Sequence, residues 1–493
     1  MKSRWYPTLS IYRPTLRKVL SSIDMFATGF GVVIGFGWIL LFGSHVYEAG
    51  IPAGVLGWLI ALVLMLFVGL TYGELTSSMP VAGGEAAYAL RAFNDARVAY
   101  WTGWFMVTAY ITLAMLYGAT VPFIFAYFFP EIFKRVYLWS IAGFDVYLPM
   151  VIVGFLLAGI GIILNYYGAK PYGWAQTAMT LIFAVLGFGL FITTLAAAPF
   201  NPTIWTNMQS NMVGKLTFTE GLVMILGVAP FFYVGFDMIP QASEEYRAEP
   251  RKLGRLVLLS ITIGGIWYIL AHIFAGLVVN RNLYPQYELP IADGLVATWG
   301  PATLWILYII GLFGALTTWS GAFYSATRVL FAAGRARVMP EFFARINKYG
   351  APHYSIFFVG GLVALASLFG RRATIWFIDA CSVFTALLYL MVALSFIKLR
   401  RNEPNMKRPW KAWGGVFSGA IAAIACILMF IFIIVPGMPS ALIWPTEYIV
   451  FIAFVVLGII YYYLTPAIRE KIPLNQLEYL LLGEYSRQEQ QKS

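Results

Sequence analysis

The chain has 493 residues, of which 60% are hydrophobic and only 11% are charged. Soluble domains carry about 25% charged residues, so this composition excludes an ordinary soluble fold. The net charge of +11 would favour a nucleic-acid partner in a soluble protein, but in a membrane protein it is first a signal of loop topology.

The apolar stretches predict an all-α membrane protein with twelve spans. A bilayer core of about 30 Å needs roughly 20 apolar helical residues, because each segment has to satisfy its own backbone polar groups. In chain order, the predicted spans are Met25 to Val46, Val55 to Tyr72, Val98 to Phe128, Leu148 to Leu164, Tyr172 to Leu195, Gly221 to Pro240, Leu256 to Val279, Thr303 to Leu330, Tyr354 to Phe369, Thr374 to Ile397, Val416 to Val435 and Tyr448 to Leu464.

The distribution of Lys and Arg predicts the orientation of these spans. An even number of spans puts both termini on one side, and 27 of the 33 Lys and Arg residues then lie on that side. By the positive-inside rule, the N- and C-termini are predicted to be cytoplasmic in a multi-pass protein of the cell membrane. The basic charge needs no nucleic acid. The first span is too long for a cleavable signal peptide, and its flank lacks a small-residue cleavage site.

Two of the spans contain helix breakers. Span 1 has Gly29, Gly31, Gly35 and Gly37 within nine residues, and a mid-helix glycine costs roughly 1 kcal/mol while it permits unwound backbone. The spacing of Gly31 and Gly35 is also that of a close helix contact, which is the alternative interpretation. No strand precedes these glycines, so they do not indicate a dinucleotide site.

Span 6 has a corresponding interruption. Pro230 and Pro240 flank a segment that contains Gly235, which lies 200 residues after Gly35. Paired interruptions in two halves of a chain are typical of inverted-repeat transporters. The predicted organisation is a cytoplasmic N-terminal segment (1–20), a first repeat (21–200), a second repeat (201–400), spans 11 and 12 (401–466) and a cytoplasmic tail (467–493).

Broken helices expose backbone groups that bind charged solutes. Amides at the start of a half-helix suit a carboxylate, whereas freed carbonyls at the end of the other half suit an ammonium group or a sodium ion. A zwitterion matches both poles. The sequence therefore favours a carrier for a small amine-bearing solute.

Several stretches resemble the amino acid, polyamine and organocation (APC) transporter superfamily. They are GVVIGFGWI from Gly31, YGELTSSMPVAGGEAAYALRAF from Tyr72, NYYGAK from Asn165, VGFDMIPQASEEYRAEPRK from Val234, YSATRVLFAAGRARVMP from Tyr324 and LRRNEPNMKRPW from Leu399. The resemblance implies a twelve-helix secondary transporter with a five-plus-five inverted repeat, which works by alternating access around broken helices 1 and 6.

The resemblance also implies a substrate site. The family's carboxylate cradle falls on the amides of Gly35, Phe36 and Gly37, and its amine site falls on carbonyls near Val33, Phe231 and Phe232, with Phe231 as the gating aromatic and Gly235 in the second break. Phe36 replaces the small polar residue common in the cradle, so the resemblance does not fix the size or the class of the substrate. Val234 replaces a common glycine in the helix 6 break.

No cofactor is expected, and sodium or protons are the candidate coupling ions. Many relatives place a lysine eighteen residues after the asparagine that matches Asn165, but Phe183 stands there, which disfavours a lysine-based proton mechanism. Thr317, Thr318 and Ser320 are a candidate sodium site, since hard cations prefer oxygen ligands. Simple polar packing between helices is the alternative.

Ionisable residues inside the bilayer need a partner or a function. Asp237 is a candidate for binding a cationic substrate, for proton exchange or for capping the second half of helix 6. Asp379 is a candidate for a substrate or proton role, with pairing to Arg371 or Arg372 as the alternative. His272 is predicted to be a packing residue.

Other polar and aromatic residues are predicted to have structural roles. Glu74, Glu244 and Glu245 are expected to contact basic residues at cytoplasmic helix ends. Cys381 and Cys426 are predicted to be buried and free. The aromatics are expected to lie mostly at the lipid or at the membrane interfaces, as for Trp38, Tyr110, Tyr117, Trp319, Tyr324 and Trp376.

The leading functional hypothesis is uptake of an amino acid. The alternatives are a transporter of a polyamine or other organic amine, and a substrate-gated channel or sensor of the same fold. An enzyme is disfavoured, because the three histidines fall at unrelated depths and no CxxC or HExxH occurs. The expected partners are the substrate and membrane lipid, and the sequence carries no signal for an oligomeric state.

Overall fold

The computed structural model describes residues 13–141, 143–465 and 472–490, apart from the side chains of residues 371–373 and 488. Its helices, numbered here in chain order, are α1 Ser22–Ile34, α2 Gly37–Ser78, α3 Gly84–Phe93, α4 Ala96–Phe128, α5 Pro130–Phe133, α6 Leu148–Tyr166, α7 Ala169–Ala197, α8 Pro202–Ser210, α9 Phe218–Phe232, α10 Met238–Ala242, α11 Arg251–Val278, α12 Pro290–Trp299, α13 Thr303–Arg335, α14 His353–Ala366, α15 Gly370–Asn402, α16 Val416–Ile434, α17 Thr446–Leu464, α18 Leu474–Leu482 and α19 Arg487–Gln490.

Membrane-spanning helices dominate the fold. Among the described residues, nine helices are long and apolar enough to cross a membrane, and three shorter apolar helices accompany them: Ser22–Ile34, Phe218–Phe232 and His353–Phe369. The longest, α2, is two rods joined at a kink, because Gly50 has a non-helical conformation with φ of 72°. The chain is therefore a multi-pass membrane protein.

The predicted interruption of span 1 is present. Helix α1 begins at a capping box formed by Ser21 and Asp24 and ends at Ile34. Gly35 then has φ of 50°, a conformation that glycine adopts without steric penalty. Helix α2 starts two residues later, at Gly37.

The interruption of span 6 is also confirmed. Helix α9 begins at a capping box formed by Thr217 and Glu220 and ends at Phe232. Five residues follow outside the helices, including Gly235 with φ of 144°, before α10 starts at Met238. The two breaks lie close together, because α1, which precedes the first break, packs against α10, which follows the second.

The prediction that the six named aromatics lie at the lipid or at the membrane interfaces was wrong for five of them, although other aromatics such as Trp174 and Phe200 are exposed. Trp38, Tyr110, Tyr117, Trp319 and Tyr324 are buried, and Trp376 is partly buried. These rings pack on other rings inside the bundle: Trp38 meets Trp267 edge to face at 5.8 Å, and Tyr324 stacks on Tyr172 at 4.0 Å. Exposed aliphatic side chains such as Ile163 and Val185 cover the outer faces of the helices instead.

Short elements between the spans were not predicted. The strands β1 Tyr137–Ile141 and β2 Phe144–Tyr147 form an antiparallel hairpin, with Trp139 opposite Val146 and an irregularity between Tyr137 and Trp139. Helices α3, α8 and α12 lie in other connections. Cys381 and Cys426 are buried and free, as predicted.

Candidate substrate-binding site

A small cavity lies between the two helix breaks. Its volume is about 10 Å³, close to what one water molecule requires. Its walls are backbone from both breaks and side chains from α4, α9, α11 and α13; the lining residues are Val32, Val33, Ile34, Gly35, Gly37, Leu113, Tyr117, Phe231, Phe232, Val234, Tyr268 and Thr318. None of these side chains carries a charge.

Two of the three carbonyls predicted to bind an amine converge on one atom. The hydroxyl of Tyr268 lies 2.7 Å from the carbonyl oxygen of Phe232, and it also makes a short hydrogen-bond contact with the carbonyl oxygen of Val33. A hydroxyl has one hydrogen to donate, whereas an ammonium group has three. The Tyr268 hydroxyl therefore holds a position where an ammonium group could donate to both breaks.

The predicted carboxylate cradle is covered by a second tyrosine. The backbone N–H of Phe36 donates to the Tyr117 hydroxyl oxygen at 3.4 Å. A side-chain carbon on Gly35 would come within 2.6 Å of that oxygen and 3.0 Å of the Thr318 hydroxyl. Only glycine leaves room here, and oxygen atoms already surround the first break at the point where a carboxylate would sit.

The ring of Phe36 points away from the cavity. It lies against Gly311 of α13, where a side-chain carbon would meet the ring at 3.0 Å. Phe36 is 2% exposed and its side chain does not reduce the cavity. In this arrangement Phe36 contributes its amide to the first break, and Gly311 on α13 accommodates the ring. The effect of Phe36 on the size or class of the substrate stays a prediction.

The predicted gating aromatic, Phe231, lies in the wall of the cavity. Phe231 packs edge to face on Phe232, with the ring centroids 5.4 Å apart. The ring of Phe232 also contacts the backbone near Gly37, where a side-chain carbon would be 3.2 Å from it. Val234 does not prevent the unwinding of the second break, and its amide donates to the Phe231 carbonyl at 3.2 Å.

Asp237 lies behind the second break, outside the cavity lining. Its carboxylate accepts the backbone N–H of Gly235 at 2.7 Å and the hydroxyl of Tyr110 at 2.9 Å. The predicted cap of α10 is not formed, because the side chain makes no cap hydrogen bond to that helix. The carboxylate instead holds the shape of the break itself.

Asp379 also lies apart from the cavity lining. It is partly buried on α15. The predicted pairing with Arg371 or Arg372 falls on side chains outside the described part of the chain.

Two of the three candidate sodium residues donate hydrogen bonds to helix α1. The hydroxyls of Thr317 and Thr318 each lie 2.9 Å from a carbonyl oxygen, of Gly31 and Val32 respectively. The hydroxyl of Ser320 is buried and has no hydrogen-bond partner within the described ranges. These contacts correspond to the polar packing that was the alternative prediction.

A glutamine that sequence reasoning missed lies beside these threonines. The side-chain amide of Gln176 on α7 donates to the carbonyls of Ala27 and Thr317 at 3.2 and 3.1 Å. A sodium ion would need such carbonyl oxygens as ligands, and here they accept hydrogen bonds from a neutral amide. The residues present thus fit hydrogen bonding better than sodium.

Glu74, Glu244 and Glu245 contact basic residues, as predicted. Glu74 pairs with Arg400 and Arg408, Glu245 with Arg328, and Glu244 with Arg335 and Arg13. Burial alone would raise the pKa of Glu244, but Arg335 and Arg13 hold that pKa below its ordinary value.

His272 is a packing residue, as predicted. Its ring nitrogen Nε2 lies 3.1 Å from the carbonyl oxygen of Gly50, at the kink of α2. The residues at or beside the site that the sequence did not reveal are Tyr117, Tyr268 and Gln176. Each of these side chains is polar and stands in an apolar helix, which indicates that it faces the interior of the bundle. The sequence does not indicate which residue it contacts there.

Known proteins resemble this chain over most of its length. The family profile described as "Amino acid permease" matches residues 20–461. The branched-chain amino acid permease of Bacillus subtilis is 22% identical over 84% of this chain and 88% of its own length. The aspartate-proton symporter of the same organism is 24% identical over 83% and 78%, and the lysine-specific permease of Escherichia coli is 23% identical over 79% and 80%.

The matched family and these relatives are transporters. The comparison thus confirms the prediction of an amino acid transporter over an enzyme. Because the amino acid permease profile matches most of its residues, the chain belongs to the amino acid permease family.

Proposed function

We propose that this permease carries a neutral amino acid with an apolar side chain. The observation that carries the proposal is the convergence of the Val33 and Phe232 carbonyls on one donor, beside the amides of the first break. This arrangement offers an acceptor pole and a donor pole a few ångströms apart, as a zwitterion requires. The rest of the cavity lining carries no charged side chain and is mostly apolar.

The hydroxyls of Tyr268 and Tyr117 act as placeholders for the substrate in this closed arrangement. A substrate ammonium would displace the first hydroxyl and a carboxylate the second. Hydrogen bonds to charged groups are stronger than those between neutral groups, so the exchange favours the bound state. The cavity is too small for an amino acid as it stands, and the tyrosines therefore have to move when the substrate enters.

The twelve-span fold with an inverted repeat is part of the proposal. Nine long apolar helices and three shorter ones suit it, and the two breaks occupy equivalent positions 200 residues apart, at Gly35 and Gly235. Alternating access of the site to the two sides of the membrane would then come from movement of one repeat relative to the other around the breaks. The excess of Lys and Arg on one side supports cytoplasmic termini in the cell membrane, and the exposed aliphatic faces suit contact with lipid.

The lining of the cavity narrows the class of substrate. The relatives are named for branched-chain, acidic and basic amino acids, so family membership alone does not choose among them. A basic or acidic side chain would need a charged partner in the wall. An amine without a carboxylate would leave the amides of the first break without the anion that they suit.

A matched pair of solutes tests the proposal. Leucine and isoamylamine differ by the carboxylate alone, and lysine and aspartate add side-chain charge. We expect leucine to raise the melting temperature of the purified protein and to drive counterflow in proteoliposomes, whereas the other three do neither. Stabilisation by isoamylamine but not by leucine would overturn the proposal, and a large unitary current would indicate a channel.

A further inference from the structure

Two acidic side chains share one hydroxyl in the interior of the bundle. The Tyr110 hydroxyl lies 2.9 Å from the Asp237 carboxylate and 3.2 Å from the Glu85 carboxylate. All three side chains are fully buried. Glu85 lies at the start of α3, Asp237 in the second helix break and Tyr110 in the middle of α4, so the contact joins three separate elements.

The other donors to these carboxylates are neutral. The side-chain amide of Gln241 donates to Glu85 at 2.5 Å, and the Gly235 N–H donates to Asp237 at 2.7 Å. The ionisable groups in electrostatic contact with the two carboxyls are tyrosines and a cysteine: Tyr72, Tyr88, Tyr110, Cys381 and Tyr389. Within the described residues, no Lys, Arg or His pairs with either carboxyl.

The count of hydrogens indicates that one carboxyl is protonated. Tyr110 has a single hydroxyl hydrogen, yet its oxygen lies within hydrogen-bond distance of two carboxylates. Two buried carboxylates that share a site cannot both ionise without a large penalty. A proton on one of them supplies the missing hydrogen, because the Tyr110 oxygen can accept it while its own hydrogen goes to the other.

A nearby hydroxyl offers a second acceptor for such a proton. Tyr72 is fully buried, its hydroxyl has no hydrogen-bond partner among the described residues, and it interacts electrostatically with both Glu85 and Asp237. If both carboxyls were always ionised, we would expect the Tyr72 hydroxyl to donate its hydrogen to one of them. Because that hydroxyl has no partner among the described residues, it is available to form a hydrogen bond when one carboxyl gains or loses a proton.

We propose that Glu85 and Asp237 bind one exchangeable proton between them and that this proton is the coupling ion of transport. The inference rests on the proposed function. Binding converts one carboxylate to a carboxylic acid, and release of the same proton on the other side of the membrane restores it, so no other group is consumed.

The geometry connects this proton to the substrate site. Asp237 holds the N–H of Gly235, and Gly235 packs directly on the backbone of α1 near Val33. On the other side, Gln241 joins Glu85 to the backbone N–H of Gly83, which precedes α3. A change of charge at the pair therefore alters the hydrogen bond that shapes the second break and the contact between that break and α3.

Proteoliposomes with imposed gradients test the proposal. Wild-type protein should accumulate radiolabelled leucine when the outside is more acidic, and a pH-sensitive dye inside the vesicles should report acidification that depends on leucine. One coupled proton allows about tenfold accumulation for each pH unit. A sodium gradient imposed at equal pH should drive no accumulation of radiolabelled leucine.

Substitution of each carboxyl by a neutral amide then tests whether Glu85 and Asp237 bind the coupled proton. Asp237→Asn and Glu85→Gln should each lose accumulation driven by the pH gradient, while counterflow of leucine at equal pH continues in at least the Glu85→Gln variant. Glu341→Gln, which removes an exposed cytoplasmic carboxylate paired with Arg337, should behave as wild type.

The outcomes separate this inference from the proposed function. Counterflow by the wild type without proton-driven accumulation would overturn the proton proposal and leave the amino acid carrier intact. Proton-driven accumulation that survives in Glu85→Gln and in Asp237→Asn would also overturn it. Absence of both counterflow and binding in the wild type would instead overturn the proposed function.

Discussion

Gly235 lies so close to helix α1 that a side-chain carbon on it would come within 2.5 Å of the Val33 amide nitrogen and 2.9 Å of the Gly29 carbonyl oxygen. The second break thus touches the last turns of helix α1, backbone to backbone, just before the first break at Gly35. Contact this close brings the carbonyls of Val33 and Phe232 within reach of one hydroxyl, and it requires a residue without a side chain.

Gly235→Ala should therefore abolish counterflow. The added carbon would clash with the α1 backbone, and φ of 144° adds strain on the order of 1–3 kcal/mol for a residue other than glycine. Counterflow and melting temperature are the measurements. Gly361→Ala is the matched control, because that helical glycine has open space around it. Wild-type transport by Gly235→Ala would contradict the contact.

Gly35→Leu should abolish transport while the protein still inserts in the membrane. The first carbon of the side chain would already meet the Tyr117 and Thr318 hydroxyls, at 2.6 and 3.0 Å, and the remaining carbons would fill the carboxylate cradle. Uptake, normalised to the amount of protein in the membrane, measures the effect. Residual leucine binding with normal affinity would show that the cradle does not lie at Gly35.

Tyr268→Phe should lower the stability of the empty protein and increase the stabilisation by leucine. Without the hydroxyl, the carbonyls of Val33 and Phe232 lose their shared donor, and a buried polar group left unsatisfied costs about 1–3 kcal/mol. A substrate ammonium would restore the donor. Melting temperatures with and without leucine give both effects, and Tyr463→Phe, at an exposed position, is the control. An unchanged leucine shift would contradict the placeholder role.

The ion pair of Glu244 should make the protein sensitive to acid. The pKa of this carboxyl is lowered in the folded state by Arg335 and Arg13, against the effect of burial. Its contribution to stability is therefore complete above the unfolded pKa of about 4.3 and is lost as the pH falls through the lower folded value. Glu244→Gln should lower the melting temperature at pH 7, because a buried pair loses a partner. It should also lose less stability than the wild type between pH 5 and pH 3; an equal loss would contradict this assignment.

The sequence predicted the positions of the helix breaks because glycine and proline act locally on the backbone. Gly35 and Gly235 mark the breaks whatever surrounds them, and the family motifs located the amides and carbonyls near them. The directions of side chains were harder to predict. In helices that are apolar on all sides, periodicity does not distinguish a lipid face from a protein face, so Trp38 and Tyr117 were assigned to the lipid although both are buried.

Contacts between distant segments also escaped prediction. The hydroxyl of Tyr268 reaches carbonyls in two other helices. Glu85 and Asp237, which are far apart in the sequence, both contact the hydroxyl of Tyr110. Nothing in the local composition around either residue specifies its partner. Such pairs depend on how the helices pack, which a single sequence does not encode in its spacing.

The most direct test of the central claim is leucine counterflow in proteoliposomes that contain the purified wild-type protein. Vesicles preloaded with unlabelled leucine should accumulate labelled leucine transiently, whereas vesicles preloaded with isoamylamine should not, because the two breaks together bind an ammonium and a carboxylate. Equal accumulation with isoamylamine, or none with leucine or any other neutral amino acid, would contradict the account.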